Sequence, residues 1–231
     1  MTDEEDPFSV DETPDPFRAE NGFVEAPASS RYSADFIQRV RAAQLARVER
    51  IDQRAKALLR ARAMLRKQVK EMGEQPVPPA LRRQVAHTPI FSVWRTDADL
   101  RCWDVSIDPS DRTVGTLWGQ HPFTSNMRSV AFARLVTPES WLSTWSGISS
   151  NASFEKFGHG LTLPTLMLEY TGDQAAFPSD MDRIYQSIAS VDKSRHKVRG
   201  NHHGLALVPG ETSGQVVAGR LVQEWLGRWR A

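Results

Sequence analysis

The sequence predicts a mixed α/β protein in which a helical region, led by one long helix, precedes a closing βαβα unit. Three observations predict it. An apolar run over residues 161–170 is bounded by glycine and proline and is short enough for a buried parallel strand. A helical stretch and a second short strand follow it directly. Upstream, apolar residues recur every three or four positions across residues 33–73, the period of one helix face.

Residues 1–32 read as an acidic, extended lead-in. The first twenty carry eight acids against Arg18 alone, and Asp6-Pro7-Phe8 and Asp15-Pro16-Phe17 supply aromatic anchors without the means to nucleate a core. Ser33 is a good N-cap for the long helix 33–73, Asp35 sits in its first turn, and Gly73 follows it as a C′ residue. Ile37, Val40, Val48, Ile51, Ala55, Leu58, Leu65 and Val69 form its apolar stripe, and arginine and lysine dominate the opposite face. Unbroken, such a helix spans about 60 Å, so it needs a bend or a partner surface. Residues 74–89, with four prolines, read as a linker. Alternating residues on either side of Asp97-Ala98-Asp99 predict a β-hairpin over 87–107, and residues 123–126 read as loop. A tryptophan-rich region, 130–151, includes Phe132 and a helix starting after Thr137 with Pro138 in its first turn. Trp94, Trp103, Trp118, Trp141 and Trp145 fit either a core or the wall of an apolar pocket.

The closing portion, 159–231, carries the chemistry. The run 161–170 ends on Thr171-Gly172-Asp173-Gln174, a turn that leaves a carboxylate at the strand's carboxyl end. Ser179 is a plausible N-cap for a helix over 179–190, with Asp180 and Asp182 suited to its dipole. A shorter strand over 194–199 leads into Gly200-Asn201-His202-His203-Gly204, and a last helix over 215–229 has one apolar face. Two parallel strands therefore put an acid and a pair of imidazoles at adjacent carboxyl ends, where open α/β sheets hold their functional groups. Spacing from Gly200 favours His203 as the partner of Asp173. A polar residue before and a ring after favour His202.

The wording Leu163-Pro164-Thr165-Leu166-Met167-Leu168-Glu169-Tyr170-Thr171-Gly172-Asp173, with Phe177-Pro178-Ser179 after it and acid preceding histidine, resembles the last third of an α/β-hydrolase. In that family the triad runs nucleophile, acid, histidine along the chain. The resemblance implies Asp173 as orienting acid, His202 or His203 as general base, and a serine hydrolase of carboxylic esters or related small acyl substrates. It also implies a cap or lid over 33–158 and the end of the hydrolase core over 159–231. The family's nucleophile stands in a Gly-x-Ser-x-Gly elbow after a strand. The nearest match here, Gly147-Ile148-Ser149-Ser150-Asn151, ends in asparagine and follows a helical-looking segment. The expectation is thus an incomplete α/β-hydrolase-like fold, inactive alone, whose first residue stands at an internal position of a longer ancestral chain. Its strand over 163–170 would keep an unpaired edge, fit for self-association or for a complementing chain. The alternative is a non-catalytic binding or scaffold protein using the basic helix 33–73.

Composition narrows the field further. A net charge of +1 speaks against a nucleic-acid partner, and no aromatic residues interleave the basic ones as single-strand binding would require. The single cysteine, Cys102, permits no internal disulfide and points to a cytoplasmic setting. No histidine–cysteine spacing resembles a metal site, no cofactor is called for, and no apolar run approaches the ~20 residues needed to cross a bilayer.

Overall fold

The computed structural model describes residues 14–93, 98–128 and 134–229. The acidic residues 3–12 of the lead-in, Trp94 and Phe132 lie outside the described residues. The Ser33 side chain accepts the Phe36 amide at 3.2 Å, and α1 (Ala34–Glu71) runs from there through 38 residues without a break. It ends at Gly73, whose φ of +59° is open to glycine and costly for other residues. Only the first half of its stripe is buried, through Phe36, Val40, Ile51 and Ala55.

Two small cores form against that half. Phe36 and Val40 pack with Tyr32, Leu100, Trp103 and Phe177, whereas Ile51 and Ala55 pack with Val93, Val136 and Trp141. The tryptophans are therefore divided: Trp103 and Trp141 are buried in different cores, while Trp118 and Trp145 are half exposed, so these four do not line one pocket.

Several elements differ from the sequence reading. The proline-rich linker contains a helix, α2 (Pro79–Ala86), because Pro79 takes the first-turn position, where a missing N–H costs nothing, and Leu81 is buried. Among the described residues the hairpin over 87–107 does not form. β1 (Phe91–Val93) pairs antiparallel with the distant β2 (Arg134–Val136), and Leu100–Cys102 is a 3-10 turn capped by the Asp99 side chain. The competing pull is burial: Leu100, Cys102 and Trp103 all enter the first core. Residues read as loop form α3 (Pro122–Met127), started by Pro122 and capped by the His121 ring, which accepts the Thr124 amide at 3.3 Å. Thr137 caps α4 (Pro138–Ser140), which leads into a π-type turn, Trp141–Trp145, and α5 (Phe154–Phe157) follows.

The closing unit is β3 (Thr165–Gly172), α6 (Pro178–Ser187), β4 (Lys193–Asn201) and α7 (Gly214–Gly227). β3 and β4 are parallel, as a strand–helix–strand crossover requires, and among the described residues they form a two-stranded sheet. Alternation puts Glu169 on one face, where Arg195 binds it at 2.9 Å and reaches Asp182 of α6 at 2.5 Å. Tyr170 lies on the other face, beside Gly204 and Gly214 at the start of α7. The protein is thus of mixed α/β class with a small parallel sheet. Ser179 is not the cap of α6. Phe177 holds that place, and Ser179 turns its amide (3.1 Å) and hydroxyl (2.7 Å) to Asp108. Tertiary partners outcompete the local cap here.

Candidate acid–imidazole site

Asp173 follows β3 where the sheet register slips between Tyr170 and Gly172. Its Oδ1 accepts the amides of Ala175 at 2.7 Å and Ala176 at 3.2 Å, a turn that fixes the carboxylate at the strand end. On the neighbouring strand end, the Asn201 side chain accepts the amides of His203 at 2.9 Å and Leu205 at 3.0 Å. That turn closes on Gly204 at φ +73°, where a Cβ would fall 2.6 Å from the Tyr170 ring, so glycine is needed for conformation and for space.

The result separates the two histidines. His202 Nδ1 lies 3.0 Å from Asp173 Oδ1 and 3.1 Å from Oδ2. A carboxylate accepts and does not donate, so this arrangement assigns a proton to Nδ1, and in the neutral ring the lone pair then lies on Nε2. The His203 ring instead packs edge-on to His202, centroids 5.0 Å apart, and makes no hydrogen bond to the acid among the described residues. Asp173 is almost covered, its side chain 11% exposed, while His202 keeps 37%. Solvent or a ligand can therefore reach the ring but hardly the acid behind it.

No hydroxyl or thiol is hydrogen-bonded to the His202 ring among the described residues; its hydrogen-bonding there is with Asp173. Ser149 is committed elsewhere. Its hydroxyl donates to Asp52 of α1 in a short hydrogen bond, and Trp141 Nε1 donates to the same carboxylate at 2.7 Å. Burial works against the Asp52 anion. Hydrogen bonds from Ser149, Ser146 and Trp141, with Lys56 close by, outweigh it and hold the carboxyl below its ordinary value. A charged residue beside Ile51 within an apolar helix stripe is the sequence signal for this buried acid.

A clamp absent from the sequence reading holds the Asp173 loop from outside. The Asp111 amide donates to the Thr171 carbonyl at 2.9 Å, and Gln174 Nε2 reaches the Thr113 carbonyl at 3.2 Å. Arg101 donates to Ser179 and Asp180 at 3.0 Å each and lies 4.0 Å over the Phe177 ring. Burial disfavours the Arg101 cation, yet Asp99 and Asp180 outweigh that and raise its pKa above the ordinary arginine value. Burial likewise opposes the Asp108 anion, and Ser179 and Arg101 overcome it, holding the carboxyl low. Residues 99–113 thus fix both ends of the loop that carries the acid. The bonds linking Arg101 and Asp108 to Ser179 and Asp180 were invisible in sequence because they span more than seventy residues.

Among the described residues no group of three histidine, cysteine or acidic side chains could hold a metal, and no helix is long and apolar enough to cross a membrane. No protein-family model, curated protein or solved structure matches the chain.

Proposed function

We propose that this chain is the cap and closing portion of an α/β-hydrolase-like protein, in which Asp173 orients His202 as the general base of ester or related acyl hydrolysis. The observation that carries the reading is the Asp173–His202 pair at the carboxyl ends of two adjacent parallel strands. In such a pair the acid fixes the tautomer and stabilises the imidazolium formed when Nε2 takes a proton from a nucleophile. The described residues bring no nucleophile to Nε2, and in this family one oxyanion donor comes from the residue after the nucleophile. The chain alone is then catalytically silent, and a complementing strand-and-elbow portion beside β3 would complete it. The scaffold alternative has less support, since Asp35, Asp52, Glu71 and Glu139 interrupt the basic face of α1 with ion pairs.

Limited alkylation with iodoacetamide, mapped by mass spectrometry, tests the site without needing turnover. His202 should be modified at Nε2, and Asp173→Asn should lose that preference. Ester hydrolysis by the isolated chain should equal that of His202→Gln. Modification of His202 at both nitrogens alike, or labelling of Ser149 by a fluorophosphonate, would contradict the reading.

A further inference from the structure

The second half of α1 does something different from the first. Beyond Ala55 no residue of α1 is buried, yet α2 folds back alongside it and the two form a helical arm over residues 56–86. Between them lies a groove of about 640 Å³, with Leu58, Leu65 and Pro89 giving apolar walls and Arg62, Arg83 and His87 giving polar ones. The groove is open to solvent along one side, and its lining, mostly apolar with a few polar groups, has the composition of small-molecule sites.

Charge decides what would occupy it. No acid lines the groove. The arm carries eight lysines and arginines against Glu71 and Glu74, so a second copy of the same arm would be repelled and an anion attracted. Arg62 is already held by Glu139 at 2.8 Å. The side chains of Arg83 and His87 have no hydrogen-bond or ion-pair partner among the described residues. A compact anion at Arg83 and His87 with an apolar chain against Leu58 and Leu65 satisfies both parts of the lining.

We propose that this groove binds a free single-chain carboxylate amphiphile of the fatty-acid class, its carboxylate at Arg83 and His87 and its chain between α1 and α2. Nothing in this inference depends on the Asp173–His202 pair.

Titration of the full chain with dodecanoate, below micelle-forming concentration and followed by calorimetry, tests it. One-to-one saturable binding is expected, with dodecanol, of the same chain length and uncharged, binding about tenfold more weakly. Arg83→Glu should weaken dodecanoate by about tenfold or more, and Arg83→Lys should recover most of the loss. Arg66→Glu, on the same arm but off the groove, should bind as the unaltered chain does. Arg83 is exposed and unpartnered, so its variants should fold, as circular dichroism would verify. Three results would each overturn the proposal: equal affinity for dodecanol, equal losses from Arg66→Glu and Arg83→Glu, or binding only to anionic phosphatidylglycerol vesicles without competition by dodecanoate. The last would make the arm a lipid-surface element.

Discussion

The first half of α1 and the closing βαβα unit solve the burial problem to different degrees. Around α1, Trp103, Trp141, Phe36 and Ile51 are enclosed, and the buried Asp52 carboxylate accepts hydrogen bonds from Trp141 and Ser149. The closing unit buries Val198, Ile188 and Ala218 but leaves Leu163, Val191, Leu205, Val216, Leu226 and Trp229 exposed, with β3 paired to β4 alone among the described residues. The region that carries the chemical pair is thus the one with the thinner core, and it is steadied from outside by Arg101 and Asp108. Its geometry comes from strand ends and turns, whereas that of the helical region comes from side-chain packing.

Substitutions that strike each region can break or sharpen this contrast. The largest effect is expected from Trp141→Ala, which empties a core position and leaves the buried Asp52 without its indole donor. A loss of about 3–5 kcal/mol in urea denaturation is expected, and a loss below about 1 kcal/mol would mean the second core is not enclosed. Arg101→Met should cost less, about 2–3 kcal/mol, because Asp108 and Asp180 then keep their charges without the guanidinium. It should also speed proteolysis within residues 173–180, and unchanged cleavage there would separate the clamp from the acid loop.

The smallest effect is a pH dependence. Asp52, Asp104 and Asp108 are each held below their ordinary value of 3.8 by hydrogen bonds that outweigh burial. A depressed carboxyl contributes stability that is present above its unfolded value and lost as pH falls through its folded one. The stability difference between the protein and Asp52→Asn should therefore be full near neutrality and shrink as pH drops below 3.8. A difference independent of pH would show that the Asp52 charge adds nothing.

What could be read in the sequence follows the same division. The Ser33 cap, the stripe of α1 and the order of strand, acid, helix, strand and histidine are set within a few residues of one another, and local pattern exposes them. The β1–β2 pairing, the Asp108 bonds to Ser179 and the bonds of Asp52 with its partners Trp141 and Ser149 join residues far apart in the chain, and no period or spacing announces those pairings. His202 and His203 stayed unseparated in the sequence, where one cue favoured each, for a finer reason. Counting from Gly200 favoured His203, but the Asn201 side chain captures the His203 amide and the turn presents His202 to Asp173.

The most direct test is the proton between Asp173 and His202. ¹H–¹⁵N NMR at low temperature should show a low-field resonance coupled to His202 Nδ1 that vanishes in Asp173→Asn and in His202→Gln and persists in His203→Gln. A resonance that belongs to His203, or one that survives Asp173→Asn, would contradict the assignment of the acid–imidazole pair.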